Sequence, residues 1–178
     1  MMSFKPVVIA NFISSEKAVA LGQDYMKFCD KVNEPGDAAV PLSQSTWGYF
    51  TSLELLYLKL PEVSKLIGEP LFPSFTYSRV YKNGSLLPPH KDRDECEISL
   101  SVHLCSDKPW TIWVVDESGV KYDVNLNPGD ALLYNGIEHE HGRTTLYDGQ
   151  YYTQTFLHYI RSRGKYSKEY EEHMSLIE

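Results

Sequence analysis

Two short segments of the chain carry residue types that bind transition metals. The first contains His90 and Asp92, which are two positions apart and would share one face of an extended segment. The second, residues 134–143, contains His139 and His141. Two histidines and one carboxylate on one face of an octahedron bind iron(II) and leave three positions open for substrates and oxygen. His90, Asp92 and a histidine about 49 residues further on fit that pattern.

A His-x-Asp pair alone also occurs in polar surface loops, and the charged residues 91 and 93–95 around this pair fit such a loop. The combination of features is more specific. The pair stands at the start of a series of strands, and the second histidine cluster stands near its end. The sequence therefore predicts a metal site that the fold must assemble from two distant segments.

The region that would position these segments has the two-residue period of β-strands. Alternating residues occur at 75–81 and 98–104, and similar runs occupy 111–115, 121–124, 131–134 and 151–160. Gly-containing turn sequences separate them, so the pattern is typical of an antiparallel sandwich or jelly roll. One strand carries Ser99, Ser101 and His103 on a single face, which either meets solvent or lines a barrel for a polar ligand.

The first part of the chain has a helical pattern instead. Ser14 and Ser15 are good N-cap residues, and apolar residues at helical spacing follow them until Pro35-Gly36. The polar stretch 41–49 is predicted to be a loop. A second helix is expected at 52–60, where Pro61 interrupts it, and a short helical stripe continues to Ile67.

Composition limits the class of protein. A length of 178 residues fits one domain, and 42% apolar residues are enough for a folded core. The net charge of −7 makes a nucleic-acid partner unlikely. No run is long enough to span a membrane and the first residues lack a signal-peptide pattern, so we expect a cytoplasmic protein without a membrane partner. Cys29, Cys96 and Cys105 include no Cys-x-x-Cys pair and are expected to be reduced thiols.

The sequence resembles the iron(II)- and 2-oxoglutarate-dependent dioxygenases, in particular their prolyl-4-hydroxylase-like branch. The resemblance rests on Tyr-Lys-Asn-Gly-Ser-Leu at 81–86, His90-Lys91-Asp92, Pro-Gly-Asp-Ala-Leu-Leu-Tyr at 128–134, and His141. It covers residues 75–160. It implies a mainly β fold, a double-stranded β-helix (jelly roll) with N-terminal helices packed on one sheet. We therefore expect one domain over 1–178, with a helical front (1–74), a β-helix core (75–160) and a charged tail (161–178).

The same resemblance implies a chemistry. Iron(II) would be held by His90, Asp92 and a second histidine, with 2-oxoglutarate as cosubstrate and O2 as oxidant. The reaction would hydroxylate an unactivated C–H bond of a peptide or protein substrate, with a prolyl residue as the first choice, or of a free amino acid. The sequence indicates no oligomeric state.

The residue that anchors the cosubstrate is less evident. Prolyl-hydroxylase relatives carry a Lys or Arg about ten residues after the second histidine, where this chain has Tyr151. Arg143 is a substitute, because two strand residues span about 6.6 Å, roughly the reach from the metal to the far carboxylate of 2-oxoglutarate. From His139 the separation would be about 13 Å. His139 and His141 are two positions apart and are expected to share one face of a strand. The spacing to Arg143 favours His141 as the second histidine without excluding His139.

Three further residues are candidates for the cosubstrate site. Arg79 and Tyr81 stand at an offset similar to that of the Asn-x-Tyr pair in the alkylation-repair branch. His103 could reach the cosubstrate from the middle strand, although a buried histidine bonded to the backbone is the commoner arrangement.

Two other functions fit parts of the sequence. A cupin-type metal enzyme would explain residues 128–139, but its first motif is missing around His90. A non-catalytic jelly-roll module would use Trp47, Trp110 and Trp113 to line a groove for a sugar or peptide, although core packing also explains these aromatic residues.

Overall fold

The alternating sequences form two antiparallel sheets in the computed structural model, which describes residues 4–168. The ten strands in this part of the chain are β1 (Val7–Ile9), β2 (Ser43–Trp47), β3 (Leu71–Lys82), β4 (Leu87–His90), β5 (Ile98–Ser106), β6 (Ile112–Val115), β7 (Lys121–Val124), β8 (Ala131–Tyr134), β9 (Glu140–Arg143) and β10 (Tyr151–Arg161). The larger sheet has the order β1-β8-β5-β10-β3-β2, and the smaller has β4-β9-β6-β7. The chain crosses repeatedly between the sheets, which gives the predicted jelly roll.

The first predicted helix, α1 (Ser15–Val32), is confirmed. The Ser14 side chain caps it by accepting a hydrogen bond from the Lys17 backbone N–H at 3.2 Å. Asn33 ends it in the left-handed conformation, with φ of 53°. The buried stripe of the helix includes Ala18 and Tyr25, so the helical spacing of its apolar residues reports a packed face.

The second helix differs from the prediction. Helix α2 (Phe50–Ile67) runs without a break through Pro61, which was expected to interrupt it. An internal proline costs about 3 kcal/mol of helix stability. Leu55, Leu56 and Val63 lie on both sides of Pro61 and are all buried, and their burial outweighs that cost.

Both helices pack on one face of the larger sheet. Their apolar side chains meet Leu100, Val102 and Leu157 in the main hydrophobic core. A hydroxyl network also joins α2 to the sheet, since Ser78 Oγ lies 2.9 Å from both Ser52 Oγ and Thr155 Oγ1. This arrangement confirms the expectation of N-terminal helices packed on one sheet.

The opposite face of the larger sheet is polar and equally buried. Ser99, Ser101 and His103 are each at most 2% exposed. Their strand face looks toward the smaller sheet. Tyr134 of β8, in the larger sheet, contacts His141 of β9, in the smaller sheet, with ring centroids 4.6 Å apart. The burial of Ser99, Ser101 and His103 excludes solvent exposure as the explanation for this polar face, which lines the interior between the two sheets.

Several boundaries also differ from expectation. The predicted loop at 41–49 contains strand β2, which pairs with β3 at the sheet edge. The sequence pattern did not predict β2 because its residues are mostly polar, and an edge strand needs no continuous apolar face. Strand β3 begins at Leu71, four residues before the expected start of the β core. The boundary at 160/161 falls inside β10, and residues 169–178 of the predicted tail lie outside the described residues. The division into a single domain with three parts stays a prediction.

Neither of the two long helices in residues 4–168 combines the length and apolarity needed to cross a membrane.

Candidate metal centre

Strand pairing brings the two histidine segments together. His90 at the end of β4 lies directly opposite His141 in β9. The two imidazole rings have centroids 4.3 Å apart. The pairing of β4 with β9 in the smaller sheet therefore brings together two histidines that lie far apart in the sequence.

Backbone carbonyls fix the orientation of both rings. His90 Nδ1 lies 2.8 Å from the Pro88 carbonyl, and His141 Nδ1 lies 2.9 Å from the His139 carbonyl. A carbonyl can only accept, so Nδ1 donates in each ring and Nε2 keeps a free lone pair. This arrangement is typical of metal-binding histidines, whose second nitrogen is held by an outer partner.

Asp92 completes the group. Its backbone N–H donates to the Gly136 carbonyl at 2.8 Å, which ties it to the turn before β9. Asp92 Oδ1 lies 3.5 Å from His90 Nε2 and 3.6 Å from His141 Nε2. Gly136 has no room for a side chain, since a Cβ there would come within 2.6 Å of Asp92 Oδ2.

The three side chains form a donor set that suits iron(II). Their ligand atoms lie within 4.8 Å of one another, and two imidazoles with one carboxylate are the ligands of non-haem iron sites with open positions. Residues 90, 92 and 141 thus come together as the sequence pattern requires.

The local electrostatics favour the metal-binding protonation states of His141 and Asp92, but not that of His90. Burial lowers the pKa of His141 to about 4, so this ring is neutral at pH 7. Burial alone would raise the pKa of Asp92, but His90 and His141 lower it below its usual range. Burial likewise opposes the charged form of His90, but Asp92 and the Pro88 carbonyl raise the pKa of His90 above its usual value. The ionised carboxylate and the neutral His141 are ready ligands.

His139 lies apart from this group. It was expected to share a strand face with His141, but it sits in the turn before β9, and this expectation is wrong. Its Nδ1 accepts a hydrogen bond from the Asn135 backbone N–H at 3.2 Å, and its ring contacts Phe4. The structure brings His141, and not His139, to His90 and Asp92.

A cleft of about 260 Å³ opens onto His90, Asp92 and His141. One wall is aromatic: Trp47 lies 5.0 Å from Phe75 and 4.8 Å from Tyr77 between ring centroids, and Phe156 follows deeper in. Lys91 and Arg93 stand at the rim, and the Arg93 guanidinium lies 5.0 Å from the Trp47 ring centroid. The wall depends on β2, the strand that the sequence pattern missed.

Arg79 lines the cleft but already has an anionic partner. Its guanidinium pairs with Asp37, a loop residue that also accepts a hydrogen bond from the Tyr77 hydroxyl at 2.7 Å. Burial would lower the pKa of Arg79, but Tyr81, Tyr77 and Asp37 raise it above its usual value. Nothing in the sequence pattern singled out Asp37, since it lies in a polar loop far from the strands.

Arg143 is fully buried beyond the cleft, where it follows His141 along the inward face of β9. Its Nη1 donates to the Trp110 carbonyl, and its Nη2 donates to Gln154 Oε1 at 2.8 Å. Its Nε is buried without a hydrogen-bond partner. Within residues 4–168, no carboxylate lies at ion-pair distance from this guanidinium. A buried cation without an anionic partner is unfavourable, and a bound anion would compensate for it.

Tyr81 and His103 surround the same interior region. The buried Tyr81 hydroxyl lies 3.5 Å from Gln154 Nε2, which connects it to the side chain that Arg143 contacts. His103 stacks on Tyr152, and its Nδ1 lies 2.8 Å from the Leu126 carbonyl. That bond leaves His103 Nε2 as a buried acceptor without a partner. Both roles toward the cosubstrate stay predictions.

Comparison with known proteins gives matches in structure only. No protein-family model and no curated protein sequence matches the chain. The fold is similar to a prolyl-4-hydroxylase from Pseudomonas putida, with a TM-score of 0.67, 16% identity, and coverage of 89% of this chain and 93% of that one.

Two further solved structures show the same likeness. HygX from Streptomyces hygroscopicus, determined with nickel and 2-oxoglutarate bound, matches with a TM-score of 0.65, 16% identity, and coverage of 89% and 83%. A Trichoplax adhaerens prolyl hydroxylase in complex with a hypoxia-inducible-factor peptide fragment matches with a TM-score of 0.63, 13% identity, and coverage of 86% and 83%.

These likenesses confirm the expected jelly roll with its packed helices. The chain has the fold of the prolyl-4-hydroxylase-like, 2-oxoglutarate-dependent oxygenases that its sequence resembles.

Proposed function

We propose that the protein is an iron(II)- and 2-oxoglutarate-dependent dioxygenase that hydroxylates a C–H bond. The observation that carries the proposal is the group of His90, Asp92 and His141, whose three ligand atoms lie within 4.8 Å at the wall of a cleft. These residues would hold the metal ion. Bound iron(II), with 2-oxoglutarate and O2, would supply the oxidation, in which 2-oxoglutarate becomes succinate and carbon dioxide while one oxygen atom enters the substrate.

The contribution of the protein is to orient these groups. Backbone carbonyls hold the two imidazoles with Nε2 toward the cleft, and the Gly136 carbonyl holds the Asp92 backbone. The ligands are therefore set before the metal binds, which reduces the entropy lost on binding.

Arg143 is the residue that we propose for the far carboxylate of 2-oxoglutarate. It follows His141 by two positions on the inward face of β9, so the about 6.6 Å spacing of alternate strand residues separates it from the metal ligand. Its guanidinium lacks a carboxylate partner within the described chain, whereas that of Arg79 is paired with Asp37. Tyr81 lies beside the same interior space and would add a hydroxyl donor.

The aromatic wall supports a prolyl residue in a peptide, or a free amino acid, as substrate. Proline rings pack well on aromatic faces, and Trp47 is 58% exposed at the mouth of the cleft. A peptide would extend from there across the rim. The Trichoplax prolyl hydroxylase, which has a similar fold, was determined with a peptide fragment, and this supports a peptide as the class of substrate.

The test is turnover under defined conditions. Protein purified without oxygen is loaded with Fe2+, supplied with 2-oxoglutarate and O2, and assayed for succinate. Proline-containing peptides and free amino acids are then screened by mass spectrometry for the gain of one oxygen atom. Absence of succinate in protein that binds Fe2+ would contradict the proposal and favour a cupin-type enzyme, and absence of metal binding would favour a non-catalytic module.

A further inference from the structure

A second group of metal-binding side chains lies in the same cleft. Asp92, Cys96 and His158 place one ligand atom each within 4.8 Å of one another. Cys96 closes the short 3-10 turn Asp94–Cys96, and His158 is in β10, so this group reaches across to the larger sheet. Cys96 and His158 are 4% and 5% exposed, and all three residues line the cleft.

The two oxygens of Asp92 have different surroundings. Oδ1 lies near His90 and His141, as described above. Oδ2 is buried and accepts no hydrogen bond from the described residues. A buried carboxylate oxygen without a donor is unfavourable, so a cation near Oδ2 would stabilise it.

The proton arrangement around His158 leaves a second lone pair there. Ser99 Oγ lies 3.0 Å from the Cys96 carbonyl, which can only accept, so the single hydroxyl proton points to that carbonyl. Ser99 Oγ must then accept from His158 Nδ1, which lies 2.9 Å away. His158 Nε2 consequently carries a lone pair. Asp92 and His158 both present acceptors, with a thiol beside them.

We propose that Asp92, Cys96 and His158 form a second metal site, which binds a thiophilic divalent cation such as Zn2+. A carboxylate, a thiolate and an imidazole are typical zinc ligands, and three protein ligands leave a fourth position for water from the cleft. Tetrahedral zinc places its ligand atoms about 3.3–3.8 Å apart, so a pair of ligand atoms at the 4.8 Å limit would have to close by about 1 Å. On binding, the Cys96 thiol releases its proton to solvent and the sulfur bonds to the metal.

Zinc at the second site would inhibit the proposed dioxygenase, and this part of the inference rests on the proposed function. A zinc ion on Asp92 Oδ2 would withdraw charge from the carboxylate that is proposed to hold iron, and it would occupy the cleft beside the substrate wall. Zn2+ bound by Cys96 and His158 should therefore inhibit turnover. The binding itself does not depend on whether the protein is an enzyme.

Cobalt(II) is the probe for the test, because a thiolate bound to it gives an intense near-ultraviolet charge-transfer band. Oxygen-free wild-type protein is titrated with Co2+ and compared with Cys96→Ser, His158→Gln and His90→Ala. Cys105→Ser is the matched control, since Cys105 is a buried thiol whose sulfur faces Gly22 of α1. Circular dichroism verifies that each variant is folded.

We expect the band in wild type, in Cys105→Ser and in His90→Ala, and its loss in Cys96→Ser and His158→Gln. A wild-type protein that binds Co2+ without the band, or a band that survives in Cys96→Ser, would overturn the second site. Succinate release by wild type and Cys96→Ser is measured separately, with 2-oxoglutarate and O2 present and Fe2+ as the only added metal. That assay tests the dioxygenase proposal independently, because turnover without a thiolate band would reject only the second site.

Inhibition is tested with the same variants. Added Zn2+ should slow succinate release by wild type more strongly than by Cys96→Ser. Equal inhibition of the two proteins would mean that zinc acts only by displacing iron, and this result would overturn the inhibitory role.

Discussion

His90 and His141 face each other across a single strand ladder, and each donates its Nδ1 proton to a backbone carbonyl two residues before it. This repeated local contact presets both rings. Variants of His139 and His141 can therefore be compared directly, because only the His141 ring lies beside Asp92. We expect His141→Ala to lose Fe2+ binding and succinate release.

The matched variant His139→Ala should keep both properties. It removes a buried acceptor of the Asn135 N–H and should lower the free energy of unfolding by about 1–3 kcal/mol. Fe2+ titration and thermal unfolding separate the two outcomes. Metal binding by His141→Ala together with its loss in His139→Ala would reverse the assignment.

Arg143 should govern the affinity for 2-oxoglutarate. Replacing it by Gln removes a charge-assisted interaction with the far carboxylate, and the KM for 2-oxoglutarate should rise about 10- to 100-fold. Arg79→Gln is the control, because its partner in the structure is Asp37. An unchanged KM in Arg143→Gln, with a raised KM in Arg79→Gln, would move the anchor to Arg79.

Gly136→Ala should weaken the proposed metal site without replacing any of the three candidate ligands. Its Cβ would lie 2.6 Å from Asp92 Oδ2 and 2.4 Å from the Cys96 carbonyl, so both residues must move. We expect Fe2+ affinity to fall at least about 10-fold. Gly119→Ala is a suitable control: its φ of +82° costs about 1 kcal/mol for alanine, but no atom lies within 4 Å of the added carbon. Normal Fe2+ affinity in Gly136→Ala would show that Asp92 tolerates the displacement.

Trp47 should affect the peptide and not the cosubstrate. Trp47→Ala removes the outer part of the aromatic wall. The KM for a peptide substrate should therefore rise, while succinate release without peptide stays unchanged. Phe50→Ala is the control, since Phe50 is 75% exposed and is not part of the cleft lining. Equal peptide KM values for the two variants would exclude the wall from substrate binding.

The buried His103 should make the metal-free protein less stable in acid. Burial lowers its pKa to about 4, whereas the unfolded chain has a histidine pKa of about 6.5. Between these values the unfolded state binds more protons, so this contribution to stability is complete above pH ~6.5 and is lost as the pH falls toward 4. The loss is about 3 kcal/mol for this residue.

Urea unfolding of metal-free wild type and His103→Gln at pH 7 and pH 4.5 measures this effect. The stability difference between the two pH values should be smaller in the variant. Buried His141 and His158 titrate in the same range and contribute equally to both proteins. An identical pH dependence in the variant would mean that His103 is not protonated on unfolding in this range.

The sequence predicted those parts of the fold that repeat a local pattern. The sequence of strand β5 follows the two-residue period, and α1 follows from its cap and its apolar stripe. It failed where tertiary contacts decide the outcome. Strand β2 has no apolar face and exists through its pairing with β3, and Pro61 stays helical because the residues around it are buried.

The candidate site was predictable to a similar extent. His90, Asp92 and His141 were recognisable because their types and order match the motif of the family that the sequence resembles. The structure brings the three residues together. Asp37, Gln154 and His158 could not be found, since no spacing relates them to the three candidate metal ligands. The positions of Gln154 and His158 follow from the pairing of β10 with β3 and β5, which is a long-range property. Asp37 is held in the cleft by its contacts with Tyr77 and Arg79.

Residues 156–159 of β10 alternate between the cleft and the helix-packed core of the larger sheet. Leu157 belongs to the helix-packed core, while its neighbours Phe156 and His158 face the cleft. Natural variation can therefore act on odd and even positions of one strand under separate constraints. A lineage can exchange the cleft-facing set while the helix-packed core behind it stays intact, and this independence suits the scaffold to repeated changes of ligand.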